Sequence, residues 1–490
     1  MKELANYIAG QWQTSERTFV KASPFNGQAI ATVHEATEAM VDEAVRAAHR
    51  VSIGDRASEW GNLSMPQRLA IIDDFANRLM ARVDDLVEAE VQDTGRSYWQ
   101  ACNFDGTRAV KLFRAYVSAA ENLEDRSKSF SGAMGKAIWY TNRRPKGVIG
   151  CITPWNMPLL MMCMKVAPAL VMGNGVVAKP SEETPSSSTV LAQVIAESDI
   201  PDEVFSLVHG FGLGSTGEYL TRHPQVNAFN FTGESATGVR IMQAASVGLR
   251  EVSLELGGKN AALIFKDANM DHVIDGVRRS AFFNAGQICF CTERAYVHRS
   301  RYDEFVEKIA MAAKEIVIGE PQHDGFSIGP LVSHAHRDKV KKLLDTVVQD
   351  GGEFVAGGNV PTFEDERDKG AFILPSVAVG LAENARFVKQ EVFGPVLHIA
   401  SFDEEHEAID LANDTQYGLA TSIWTENISQ AHRVAPQIRV GHAWVNSWQL
   451  RDLLSPLSGV GASGLGRDGG RDSLEFCSQP QTVTVRLSDN

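Results

Sequence analysis

The cysteine of Gly286-Gln287-Ile288-Cys289 and the carboxylate of Leu254-Glu255-Leu256-Gly257-Gly258-Lys259 could together perform covalent chemistry. A thiol that attacks a carbonyl needs a partner that later activates water, and a carboxylate can do so. Each residue also has an inert reading. Most buried cysteines are small hydrophobes, and a strand-end glutamate can be a capping or ion-paired group. The run Asn284-Ala285-Gly286-Gln287 favours reactivity, because it lets backbone approach a ligand closely. Cys291 lies two positions beyond Cys289. In an extended segment the two would share a face, making Cys291 a second nucleophile or an oxidation partner.

Asn156 sits between two prolines in Thr153-Pro154-Trp155-Asn156-Met157-Pro158, a rigid loop after a strand-like run. Its amide could donate to a developing oxyanion or satisfy turn backbone groups. Two glycine loops compete for a phosphate-binding role. Gly212-Leu213-Gly214-Ser215-Thr216-Gly217 matches GxGxxG, with Glu234 about 20 residues on; Phe231-Thr232-Gly233-Glu234-Ser235-Ala236-Thr237-Gly238 has the same strand-then-helix context. Lys179 and Glu182 end another strand and could hold ribose hydroxyls. Glu182 would also repel a 2′-phosphate, favouring NAD over NADP.

These residues need a scaffold. Apolar residues at helical spacing predict helices over 42–56 and 66–90. From Gly147 strand-like and helical runs alternate: strands at 147–152, 176–178, 204–208 and 228–231, helices at 159–172, 186–198, 214–222 and 235–247. That alternation implies a doubly wound parallel sheet, which binds ligands beyond the carboxyl ends of its strands. A second alternating region runs from Ala261 to about 450, with the hinge near Glu255–Gly258. Thr482–Leu487 alternates like an exposed or intersubunit strand.

The 490 residues carry a net charge of −14. That argues against nucleic acid or an anionic membrane surface as partner. Six cysteines show neither a disulfide framework nor paired zinc motifs, so a reducing compartment and no metal site are expected. No secretory signal is seen, and the apolar run Met157–Met164 is too short to span a membrane.

Taken together, the motifs resemble the NAD(P)-dependent aldehyde dehydrogenase superfamily over essentially the whole chain. The matching segments are Pro154-Trp155-Asn156, Lys179-Pro180-Ser181-Glu182, Phe231-Thr232-Gly233, Leu254–Lys259, Gly286–Cys289, Glu391-Val392-Phe393-Gly394-Pro395 and Tyr417-Gly418-Leu419. Within it the chain is most similar to the 2-hydroxymuconic and 2-aminomuconic semialdehyde dehydrogenases, through Val208–Gly212, Thr292-Glu293-Arg294 and Asn446–Leu453.

The resemblance implies an α/β fold with a doubly wound Rossmann-type NAD domain (1–121 and 142–254), an α/β catalytic domain (255–450) and a small oligomerisation β-element (122–141 and 470–490). Segment 451–469 would return toward the active site. It implies Cys289 as nucleophile, Asn156 with the Cys289 N–H as oxyanion hole, and Glu255 as the base for hydrolysis. Lys179 and Glu182 would hold the adenosine ribose, Glu391 the nicotinamide ribose, and Gly233 the phosphate turn. Gly212 would lie near the adenine, with further cofactor contacts at Ile152, Trp155, Gly238 and Phe393. Arg108 and Arg451 would bind a substrate carboxylate, although each could equally be a structural ion-pair partner.

The expected activity is NAD-dependent oxidation of a dicarboxylic semialdehyde by a cytoplasmic homodimer or homotetramer. The alternatives are a neutral aldehyde substrate, release of the thioester to coenzyme A, which the presence of Glu255 disfavours, or a crystallin-like structural role. The chain departs from the subgroup at Leu454–Gly461, where an arginine, a phenylalanine-glycine-glycine and often a lysine are usual.

Overall fold

The computed structural model describes residues 1–488. One sheet holds five parallel strands in the spatial order Phe205–Leu207, Gly175–Lys179, Val148–Ile152, Val226–Thr232, Glu251–Glu255. In chain order that is third, second, first, fourth, fifth. The chain therefore reverses its winding between Val148–Ile152 and Val226–Thr232, the point where such sheets open a ligand crevice. The central strands are buried along their whole length, as a sheet covered on both faces requires. Antiparallel strands extend the sheet at each edge: Gly464–Leu465 at one, Asn6–Ile8 and Gln11–Gln13 at the other.

A seven-stranded sheet follows, in the order Glu353–Ala356, Ser376–Val379, Val396–Phe402, Thr292–His298, Asn260–Ile264, Ala420–Trp424, His442–Val445. All its pairings are parallel except the first. The chain crosses between the sheets at Leu256–Lys259, where the hinge is expected. Thus Glu255 ends the last parallel strand of the first sheet, while Cys289 and Glu391 precede strands of the second. The first sheet offers its carboxyl ends to a cleft, and the second its amino ends.

A third sheet stands apart. Strand Ser478–Leu487 pairs antiparallel with Gly135–Pro145 over ten residues, and Gly135–Pro145 pairs with Ser127–Gly132. Most of Ser478–Leu487 is exposed.

Two helix expectations shift. The helix predicted at 42–56 runs Glu38–Ser52, because Thr37 caps it earlier, its Oγ1 accepting from Met40 N at 3.3 Å. The helix predicted at 66–90 is two, Met65–Ala81 and Val83–Thr94, broken at Arg82, which leaves helical geometry at φ −108°, ψ 17°. The apolar helix Pro158–Val171 is buried almost all round within the core. Among the described residues no helix is long and apolar enough to cross a membrane.

Candidate active site

A cavity of about 420 Å³ lies in the cleft and brings together Asn156, Glu255, Cys289, Glu391, Phe393, Arg108 and Arg451. A larger open groove beside helix Met65–Ala81 gathers none of these residues.

The loop before Cys289 is tightly constrained. Asn284 and Ala285 have φ of 52° and 54°, and Gly286 follows at 73°. Holding a non-glycine residue there costs of order 1–3 kcal/mol each, so surrounding contacts must impose the shape. They are present: Asn284 Nδ2 donates to the Asn156 carbonyl (2.9 Å), Gln287 Nε2 to the Asn284 carbonyl (3.0 Å), and Gln287 Oε1 accepts from Val332 N (2.9 Å). A Cβ on Gly286 would meet the Gly394 carbonyl oxygen at 1.8 Å, so no side chain fits.

Residues 288–291 then form a turn, with Cys291 N donating to the Ile288 carbonyl at 2.8 Å. Asn260 Nδ2 donates to the carbonyls of both Cys289 (2.7 Å) and Cys291 (2.8 Å), and Trp448 Nε1 to that of Phe290 (3.0 Å).

This turn corrects the extended reading of the two cysteines. Cys289 lines the cavity, whereas Cys291 is buried with its Sγ 3.8 Å from the Phe283 carbonyl. Burial holds the Cys291 thiol well above its usual pKa. The Cys291→Ala variant is therefore expected to keep kcat within about threefold of the native value. Its cost should appear instead as a modest loss of melting temperature, from the small core void. All six cysteines are free.

The Cys289 thiol is pushed up to about 12 by burial, with Glu255 and Glu391 adding to the rise. The Arg451 guanidinium and the Phe290 N–H oppose it. Glu255 is likewise held well above the carboxylate range, by burial first and then by Asp468. Lys165, the Ser458 hydroxyl and Arg451 pull it down. One Glu255 oxygen is buried without a partner. A buried carboxyl with a raised pKa and one free oxygen beside a cavity can take a proton from water in its ionised form.

Asn156 Nδ2 donates to the Gln287 carbonyl at 2.8 Å, which orients the amide and leaves its second hydrogen for a ligand. Thiol, amide donor and carboxyl thus converge on one cavity, as addition to a carbonyl and hydrolysis of the adduct require.

Beneath Glu255 lies a buried network. Lys165 Nζ donates to Asn230 Oδ1 (2.6 Å) and Asp468 Oδ2 (3.2 Å), and Asn230 Nδ2 donates to Asp468 Oδ1 (3.2 Å). The altered segment 454–461 helps build this region. Leu457 lines the cavity and exchanges backbone hydrogen bonds with Asp468 at 2.7 and 2.8 Å. Sequence reading missed Lys165, which there only ended an apolar run, and Asp468, which sits in no motif.

The other expected residues divide. Trp155, Gly233, Glu391 and Phe393 line the cavity, with Ser235 and Ala236 of the second glycine loop and His336, which had not been singled out. Trp155 packs against His336 and edge-on against Phe393, with ring centroids 5.0 and 5.3 Å apart. Glu391 accepts from Gly258 N at 2.8 Å, and burial pushes its carboxyl up to about 8, with Glu293 adding to the rise. Glu293 ion-pairs with Lys259 and accepts from Val392 and Phe393 N–H groups, which fixes the Glu391 segment.

Ile152 and Lys179 lie outside the cavity wall but pair side by side at the carboxyl ends of adjacent strands. Burial lowers the Lys179 ammonium pKa; its Nζ donates to the Pro180 carbonyl (3.0 Å) and lies 3.8 Å from Glu182. Gly238 packs inside helix Ser235–Ser246, where a Cβ would stand 2.7 Å from the Leu256 side chain. Gly212 faces open space and does not line the cavity. Among the described residues no cluster of metal-ligating side chains occurs.

Two parallel sheets that meet over a strained cysteine turn, with a buried carboxyl at a strand end, define an α/β enzyme of covalent carbonyl chemistry. The aldehyde dehydrogenase family model matches residues 12–483, and the chain belongs to that family. It is 46% identical over 488 residues to a 2-aminomuconic 6-semialdehyde dehydrogenase of a Pseudomonas species, covering 99% of each chain. It is also 46% identical over 490 residues to the 2-hydroxymuconic semialdehyde dehydrogenase of Pseudomonas sp. strain CF600, covering 99% of this chain and all of the other. The solved betaine aldehyde dehydrogenase of Staphylococcus aureus, in complex with NAD+, superposes with a TM-score of 0.94 at 30% identity, over 98% of this chain and 95% of that one.

Proposed function

We propose that this dehydrogenase oxidises the semialdehyde of an unsaturated dicarboxylic acid, of 2-hydroxymuconic or 2-aminomuconic type, to the acid with NAD. The observation that carries the substrate reading is Arg451. One of its guanidinium nitrogens, Nη1, is buried with no hydrogen-bond partner. Arg108 stands near enough to depress it further; burial first, then Arg108, bring Arg451 down to about 10. Burial lowers Arg108 as well, against the pull of Asp105. Both line the cavity that holds Cys289. Two guanidinium groups that repel each other beside a thiol suit an anionic group on the substrate, and a carboxylate fits their planar forks.

The residues also fit NAD. Ser235 and Ala236 open helix Ser235–Ser246 and line the cavity, and the first N–H groups of a helix have no intrahelical partner. They suit a pyrophosphate, with the buried, unpartnered Thr232 hydroxyl close by in the chain. Glu391 would hold the nicotinamide ribose, Lys179 and Glu182 the adenosine ribose, and Trp155 and Phe393 would wall the ring. Bound NAD supplies the hydride acceptor.

The Cys289 thiol gives up its proton to solvent, helped by the Arg451 guanidinium and the Phe290 N–H, and the thiolate adds to the aldehyde carbon to give a tetrahedral oxyanion, held by the second Asn156 amide hydrogen and the Cys289 N–H. Loss of hydride leaves a thioester on Cys289. Glu255 then deprotonates the water that releases the acid, and the product leaves through the cavity mouth.

Segments 1–121 and 142–254 would form the NAD domain and 255–450 the catalytic domain. The sheet containing Ser478–Leu487 would join copies into a dimer or tetramer. A cytoplasmic location accords with the six free cysteines.

A substrate panel with NAD tests the reading. Arg451→Ala is expected to raise KM for a carboxylated semialdehyde by about 10- to 100-fold, the loss of a charged hydrogen-bond pair. KM for a neutral aldehyde of similar size should change by less than about threefold. Equal effects on both substrates would contradict the carboxylate site.

A further inference from the structure

Arg96 is buried and follows helix Val83–Thr94, far from any motif. Each of its three side-chain nitrogens has a partner. Nε donates to Thr94 Oγ1 at 3.0 Å, Nη1 to Asp105, and Nη2 to the Asn156 carbonyl. Asp105 is equally buried and lies in the π-helical turn Ala101–Gly106, which leads into the helix carrying Arg108. Glu90 completes the cluster: one oxygen accepts from Leu159 N at 3.0 Å, and the other lies 4.0 Å from Arg96. Burial pushes the Glu90 carboxyl up to about 7, with Asp105 adding to the rise and Arg96 opposing it.

The Asn156 carbonyl takes two donors from different parts of the fold: Arg96 on one side, and Asn284 from the Cys289 loop at 2.9 Å on the other. A buried ion pair serving packing alone has no need of such an arm, since apolar residues fill space as well. We infer that Arg96 is a positioning residue for the oxyanion donor: its fork, anchored on Asp105, holds the Asn156 peptide against the Cys289 loop and so fixes where the Asn156 amide points. This rests on the proposed oxyanion role of Asn156. Misplacing a catalytic group by about 1 Å can cost on the order of 10²-fold.

The test is a double-mutant cycle on the full-length enzyme, read as the single-turnover rate of NADH formation. Arg96→Lys keeps a buried cation but cannot reach both partners; Arg96→Ala removes the arm. In the native background Arg96→Lys is expected to lower the rate about 10-fold and Arg96→Ala about 100-fold, with the dissociation constant for NAD unchanged. In the Asn156→Ala background each should lower it less than about twofold, because the amide they position is gone. The same loss in both backgrounds, or no loss from Arg96→Lys in the native one, would overturn the inference. Should Arg96→Ala fail to fold, the lysine variant decides alone. A native rate for Asn156→Ala itself would instead overturn the oxyanion reading.

Discussion

Replacing Cys289 by alanine is expected to abolish NADH formation, by on the order of 10⁴-fold or more. An aldehyde carbon has no hydride to release easily until a nucleophile makes it tetrahedral. Without the thiol only water could attack, unactivated and poorly oriented. The cavity should otherwise survive. The turn is held through backbone groups, by Asn260 at the carbonyls of residues 289 and 291 and by Trp448 at that of Phe290. Cofactor binding, read by quenching of tryptophan fluorescence, should therefore stay within about twofold. Substantial activity left in Cys289→Ala, paired with a large loss in Cys291→Ala, would move the nucleophile to the second cysteine.

Glu255→Gln should divide the cycle in two. Acylation of Cys289 needs no water, so a rapid burst of NADH close to one equivalent per site should persist. Hydrolysis needs a base, so steady turnover should fall by about 10²- to 10⁴-fold. The pH dependence follows from the raised Glu255 pKa. Burial and Asp468 hold its carboxyl protonated well above the usual carboxylate range. The base form is therefore scarce at low pH and grows as pH rises through that shifted pKa. Turnover limited by hydrolysis should rise along the same limb, and Glu255→Gln should lose it. Disappearance of the burst itself would place Glu255 in the first half-reaction.

Much of this was legible in the chain because it is local. The strands Val148–Ile152 and Gly175–Lys179 are near-continuous apolar runs; Asn156 lies in the loop just after the first and Lys179 is the last residue of the second. Glu255 and Cys289 each adjoin glycines whose backbone the site needs: Gly286 has no room for a Cβ, and one on Gly257 would meet Glu391 Oε2 at 2.2 Å.

What was hidden is long-range. Lys165, on helix Pro158–Val171, and Asp468, bridged to Leu457, meet across 303 residues of chain, and neither has a pattern of its own. Arg96 acts through a main-chain carbonyl, a contact no side-chain motif records. The extended alternative for Cys291 fails because two-residue spacing implies a shared face only in a strand, and here it spans a turn closed by the Ile288 carbonyl. The GxGxxG match at Gly212–Gly217 opens only the seven-residue helix Thr216–Arg222, and Gly212 lies off the cavity wall.

The most direct test is to trap the covalent intermediate. Glu255→Gln is mixed with NAD and a carboxylated semialdehyde, quenched in acid after the burst, digested and sequenced by tandem mass spectrometry. The expected result is the mass of the acyl group on Cys289, in an amount matching the NADH burst, with Cys291 unmodified. A burst without any adduct, or an adduct on Cys291, would contradict a cycle in which Cys289 captures the aldehyde and Glu255 releases the acid.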